Sequence, residues 1–130
     1  MSKDALGELI AYRLEQACDA LAESRLLQEA GHFRAAVNRA YYAMFYAVQA
    51  LLAQGGLSTS KHSGAISLFD REFVRPGRFP KDLSKSLHEI FDLRLDADYG
   101  DMLRVSQRQA QSALRGAEAF VSSVREFLSR

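Results

Sequence analysis

The stretch that decides the fold is Asn38 to Ala53, N-R-A-Y-Y-A-M-F-Y-A-V-Q-A-L-L-A. It holds four of the thirteen aromatic residues, no Gly, no Pro and a single formal charge, Arg39. Ala, Leu, Met and Gln are good helix formers, and no residue in the stretch breaks a helix. It is too short, and too rich in tyrosine and polar groups, to span a membrane. A helix that is apolar around most of its girth belongs in the middle of a bundle. The stretch therefore reads as a central helix, and the rest of the chain as the helices that cover it.

Working outward, the central helix extends from Phe33 to about Gln54. Phe33, Val37, Ala40, Tyr41, Met44, Val48 and Leu51 form its main seam, and Tyr42, Phe45, Tyr46 and Leu52 widen it. The aromatic stripe reads first as core packing. Asn38 and Arg39 are polar groups on this greasy helix, suited either to a cleft or to buried hydrogen bonds. Upstream, Lys3 to Ala30 reads as one long helix with a stripe of Leu6, Ile10, Leu14, Ala17, Leu21 and Ser24 at spacings of three and four. Gly31 closes it, and His32 sits in the turn as a cap or surface group.

Downstream, Gly55-Gly56 ends the central helix, and Ser60 or Ser63 caps a third helix from about Lys61 to Phe73, with Ile66, Phe69 and Phe73 inward. Lys61 and His62 at its start read either as an anion site at a helix N-terminus or as a solvated helix start. The run Arg75-Pro76-Gly77-Arg78-Phe79-Pro80 contains both prolines and is the clearest break. With Lys81 it is the densest positive run, a phosphate-facing loop or a solvated connector. A fourth helix runs from Lys81 to about Ala97 with Leu83, Leu87, Ile90, Phe91 and Leu93 inward. It ends in Asp92-Leu93-Arg94-Leu95-Asp96-Ala97-Asp98-Tyr99-Gly100-Asp101. Acids at a helix C-terminus are opposed by the macrodipole, which marks a site, a required salt bridge, or a simple Arg94–Asp98 pair at i,i+4. Ser106 to Leu128 closes the chain as an amphipathic helix. No strand alternation appears, so the expected fold is all-α, an up-and-down antiparallel bundle of four to five helices in one domain, 1–130.

Composition narrows the function. A chain of 130 residues with 48% hydrophobic and 25% charged residues buries a core without disulfides or metals. The net charge of +1 excludes a global polyanion-binding field, though not a local basic patch. No metal or cofactor is expected: the three His and the lone Cys18 show no ligand spacing, and Gly55-Gly56 lacks the Lys-Ser/Thr of a phosphate loop. With no signal peptide and no apolar span, the expected location is the cytoplasm, away from membranes. Tyr41, Tyr42, Phe45 and Tyr46 span too many faces for one small bundle to bury, so a homodimer is expected.

Three pieces in order, R-A-Y-Y-A-M-F-Y-A, K-H-S-G and F-D-L-R-L-D-A-D-Y-G, resemble the HEPN domain family over about residues 5 to 128. More narrowly, they resemble its small stand-alone prokaryotic branch, often encoded beside a minimal nucleotidyltransferase. The resemblance implies a dimeric helical bundle. Many members are metal-independent ribonucleases and several are toxins. Their motif is an Arg, four to six residues, then a His, with two copies meeting across a dimer cleft. Such an Arg stabilises phosphate charge and such a His moves the 2′-hydroxyl proton.

Arg94 takes the place of that Arg, but after a four-residue gap stands Tyr99, and no His follows Arg94. A Tyr, with a reference pKa of about 10, is a poor general base at neutral pH. Arg94 and Tyr99 are thus the catalytic candidates by resemblance. Asn38, Arg39, Lys61, His62, Arg94 and Asp98 are the candidates for binding a nucleotide or phosphate. By the same resemblance, Tyr99 is the candidate for modification by a nucleotidyltransferase partner. The implied function is a nucleotide- or RNA-binding module in a two-gene, toxin–antitoxin-like system. The alternatives are a ribonuclease toxin that borrows His62 or His88, and a ligand-free helical adaptor.

Overall fold

The computed structural model describes residues 2–100 and 104–130. The chain folds as an up-and-down antiparallel bundle of five helices: α1 (Lys3–Glu29), α2 (Phe33–Gln54), α3 (His62–Phe69), α4 (Lys81–Tyr99) and α5 (Gln107–Leu128). Among the described residues there is no strand, and no helix is long and apolar enough to cross a membrane.

α2 is the axis. Twelve of its residues are buried, from Ala36 to Leu52, and every other helix packs on it. Its frequent alanines let neighbours approach closely: Ala36, Ala40, Ala43, Ala47 and Ala50 are all fully covered. The longest interface is with α1, the partner in the N-terminal hairpin. Gly31 makes that reversal at φ 80°, a left-handed conformation that costs a residue with a Cβ about 1–2 kcal/mol. Ser24, fully buried in the core, donates its hydroxyl to the Ala36 carbonyl at 2.7 Å and so ties α1 to α2. The α1 stripe is narrower than its periodicity predicts: Ala17, Ala20 and Ser24 are buried, whereas Leu6, Ile10, Leu14 and Leu21 are only partly covered.

The third helix departs from expectation at both ends. Its N-cap is Lys61, and neither Ser60 nor Ser63 supplies a capping bond; instead Thr59 Oγ1 accepts from the Lys61 amide at 3.2 Å. Its α-geometry stops at Phe69, and Asp70–Val74 forms a π-helical turn in which the Arg75 amide reaches back five residues to the Asp70 carbonyl, 2.8 Å. The turn carries side-chain contacts to the next helix. Asp70 accepts from Ser84 Oγ at 2.6 Å and from His88 Nε2 at 2.7 Å, both on α4. Phe73 remains inward, in a cluster with Phe69, Phe79, Phe120 and Phe127. Arg78, from the basic run after this turn, lies over the rings of Phe73 and Phe127 at 4.8 and 5.1 Å, so its guanidinium plane serves packing. α4 runs two residues past the expected Ala97, to Tyr99.

Candidate functional site

The site is built where α2, α3 and α4 meet. α2 supplies Tyr41 and Tyr42 on successive faces, because adjacent helix residues are about 100° apart. Tyr41 is fully buried and Tyr42 half-buried. α4 brings Arg94, whose side chain is only 11% exposed, with its guanidinium carbon 5.2 Å from the Tyr41 ring centre and 5.5 Å from that of Tyr42. Its Nη2 also lies 3.5 Å from the Tyr42 hydroxyl. One turn on, Asp98 Oδ2 stands 3.1 Å from Arg94 Nε, so the pair at i,i+4 forms. The carboxylate sits off the N–H axis, however: Arg94 Nε is buried and makes no hydrogen bond. The ion pair offsets the charge without satisfying that donor.

α3 brings His62 to the same rings. Its Nδ1 is 2.7 Å from the Tyr41 hydroxyl. Its imidazole lies against Phe45, centres 4.3 Å apart, and stands edge-on to Tyr42 at 5.5 Å. Burial, and then the positive charge of Arg94, push the His62 pKa below its ordinary value, so the ring is neutral near pH 7. Burial likewise pushes the Tyr41 phenol well above the usual tyrosine range, against a smaller opposing pull from Arg94. Tyr41 therefore stays protonated and can donate.

The remaining expected residues divide. Arg39 lies over Tyr42 at 4.8 Å, on the ring that Arg94 also contacts. It is held by Asn38 Oδ1 at 3.3 and 3.4 Å and by Glu23 at 3.5 Å. Asn38, Arg39 and Asp98 line one open groove of about 370 Å³ together with Leu27, Arg34 and Ala35. Lys61 is exposed beside His62. Tyr99, the last residue of α4, is 76% exposed and stands outside the ring cluster. Asp101, the fourth acid of the α4 terminus, lies outside the described residues. His88, a candidate to stand near Arg94, is instead engaged with Asp70. A separate apolar groove of about 480 Å³, walled by Leu6, Leu9, Leu52 and Leu57, is lined by none of these residues. Among the described residues, no three His, Cys, Asp or Glu gather to hold a metal. Tyr41 itself was legible only as core; the signal for its polar role is a hydroxyl on a seam position, which must find a partner.

The chain is thus an all-α bundle in which an arginine and a histidine gather on one tyrosine pair. The HEPN domain model matches residues 10–127, and the chain belongs to that family. A UPF0332 protein of Thermotoga maritima is 37% identical over 121 residues, 93% of this chain and 92% of that one. A Methanocaldococcus jannaschii protein that bears the name "Putative toxin MJ0605" is 33% identical over 128 residues, 98% of this chain and 94% of its own. The crystal structure of TT1696 from Thermus thermophilus superposes with a TM-score of 0.77 over 91% of this chain and 97% of that one. At 21% identity, that likeness shows the fold alone.

Proposed function

We propose that this chain is a toxin-like HEPN module that holds a phosphate of RNA or of a nucleotide on Arg94 and His62, as a homodimer working with a nucleotidyltransferase partner. The observation that carries the reading is the Arg94 guanidinium. It is held against two tyrosine rings and beside Asp98, with 11% of its side chain exposed. An immobilised guanidinium loses little entropy when it meets a phosphate oxygen. Arg39 adds positive charge on the Tyr42 ring that Arg94 also contacts, and His62 adds a ring nitrogen on the shared Tyr41. The toxin name of the Methanocaldococcus jannaschii relative supports the same direction. Tyr99, exposed at the end of α4, is the residue on which the partner enzyme places a nucleotide in this reading.

A second reading, a metal-independent ribonuclease, draws on one observation: the fold sets a histidine from α3 on the rings that hold Arg94, in place of the histidine missing after it. Binding and cleavage assays in EDTA separate the two. Wild-type protein is expected to bind a fluorescein-labelled oligouridylate without cutting it, and Arg94→Ala to bind at least tenfold more weakly, about 1.4 kcal/mol. Circular dichroism confirms that the variant is folded. Equal binding by the wild type and folded Arg94→Ala sinks the proposal. Co-expression with such a nucleotidyltransferase is expected to add nucleotide mass to the wild type and none to Tyr99→Phe.

A further inference from the structure

Resting on the phosphate-holding reading, we infer that Tyr41 fixes His62 as a neutral hydrogen-bond donor whose Nε2–H faces solvent, so that the site grips an anionic oxygen and takes no proton from its ligand.

The assignment follows from hydrogen-bond accounting. The Tyr41 side chain is completely buried, and His62 Nδ1 at 2.7 Å is the hydroxyl's one hydrogen-bond partner among the described residues. Two arrangements are open to this pair. If Nδ1 carries a proton and donates to the phenol oxygen, the phenolic hydrogen must point into the core with no acceptor, which costs about 1–3 kcal/mol. If Nδ1 is bare and accepts the phenolic hydrogen, both groups are satisfied. The second arrangement wins. An imidazole whose Nδ1 is bare carries its one ring proton on Nε2.

The ring cannot exchange these roles by turning over. Phe45 lies against one face at 4.3 Å and Tyr42 meets the ring edge-on. A flip would also set a carbon–hydrogen edge where Tyr41 needs an acceptor. Full protonation is opposed as well, by burial and by the Arg94 charge acting through the shared rings. Nε2 has no partner among the described residues. His62 is partly exposed, and among the described residues Arg94 Nε is the one buried side-chain nitrogen without a hydrogen bond. His62 Nε2 therefore meets solvent at the site.

The chemical consequence is one-sided. Arg94 offers only donors, and neutral His62 offers a donor outward while its lone pair is occupied by Tyr41. Abstraction of a 2′-hydroxyl proton needs a free lone pair on a base within reach, and neither group has one. What the pair can do is converge N–H groups on a phosphate oxygen, whether it belongs to an RNA backbone or to a free nucleotide.

Two measurements test this. Long-range ¹H–¹⁵N correlation on labelled protein at pH 7 is expected to show His62 protonated at Nε2 and bare at Nδ1, with the preference lost in Tyr41→Phe. A proton on Nδ1, or an imidazolium, overturns the inference without touching the binding reading. In binding assays with the labelled oligouridylate, His62→Gln, which keeps an N–H in place of Nε2 but cannot act as a base, is expected to stay within about threefold of wild type. His62→Ala is expected to fall at least fivefold. Competition by AMP as well as by unlabelled RNA assigns the phosphate to free nucleotides; competition by RNA alone assigns it to the polynucleotide. RNA cleavage by the wild type in EDTA that disappears in His62→Gln overturns the donor role while leaving the site in place. Binding of neither probe overturns the phosphate reading, and the ligand half of this inference with it.

Discussion

At the scale of residues, the decisive pair is Tyr41 and His62, and their titrations pull in opposite directions. The folded-state pKa of His62 is lowered, so the unfolded chain takes up its proton first. Its contribution is complete above the unfolded value of about 6.5 and is lost as pH falls below it. Urea midpoints at pH 8 and pH 5 should therefore differ more for the wild type than for His62→Gln; equal differences would remove His62 from the acid limb. The folded-state pKa of Tyr41 is raised, so its contribution holds below about pH 10 and fades as pH rises through the range where the unfolded phenol ionises. Tyr41→Phe should flatten that alkaline loss. At pH 7 it should cost about 1 kcal/mol, because His62 Nδ1 loses its donor. Part of this was legible in the sequence. The Arg94–Asp98 pair follows from i,i+4 spacing, and Tyr41 from its place on the seam. The Tyr41–His62 bond does not, because it joins residues 21 apart across a loop whose path no periodicity fixes.

At the scale of elements, the helices themselves were legible and their irregularities were not. α2 and α5 carry uninterrupted apolar periodicity, and their ends coincide with Gly55 and with the Ser106 capping box. The π turn after α3 leaves no periodic trace, because Phe69 and Phe73 remain inward whether the turn is α or π. Its first residue, Asp70, reaches two α4 side chains at once. Asp70→Ala leaves Ser84 Oγ without its acceptor and frees His88. It is expected to cost about 1.5–3 kcal/mol in urea unfolding, in the range of hydrogen bonds to a charged group. An unchanged midpoint would mean that packing of Phe69 and Phe73 alone holds the turn. α4 and α5 touch at a second special position. A Cβ added at Gly116 would come within 2.8 Å of Ser86 Oγ and 3.2 Å of Ile90 Cδ1. Gly116→Val should destabilise by about 1–3 kcal/mol through overpacking. Gly116→Ala combined with Ser86→Gly should recover much of that loss, because the nearer of the two obstructing atoms is gone. If the double variant is no better than Gly116→Val, the close approach of these helices is not what the glycine provides.

At the scale of the whole molecule, the outstanding question is what covers the α2 tyrosines. One chain buries more of the aromatic stripe than its four faces imply: Tyr41 and Phe45 are inside the bundle, and only Tyr42 and Tyr46 are left half-covered. Their rings adjoin at 5.9 Å, and Tyr42 also carries the guanidinium contacts of Arg39 and Arg94. Contact with a second copy through this strip would set two Arg94 sites side by side, an arrangement that suits a ligand with successive phosphates. The near-zero net charge raises little electrostatic barrier to self-association. Sedimentation equilibrium is therefore expected to give twice the 14.5 kDa chain mass. Tyr46→Lys, which sets a charge on the strip outside the Arg94 cluster, should shift the protein to monomer with its helicity intact. RNA binding should weaken in step with dimer loss, since each phosphate site would then act alone and forfeit the effective concentration that linkage confers. A wild type that sediments as a 14.5 kDa monomer at high concentration defeats the dimer. A dimer that survives Tyr46→Lys moves its interface off this strip.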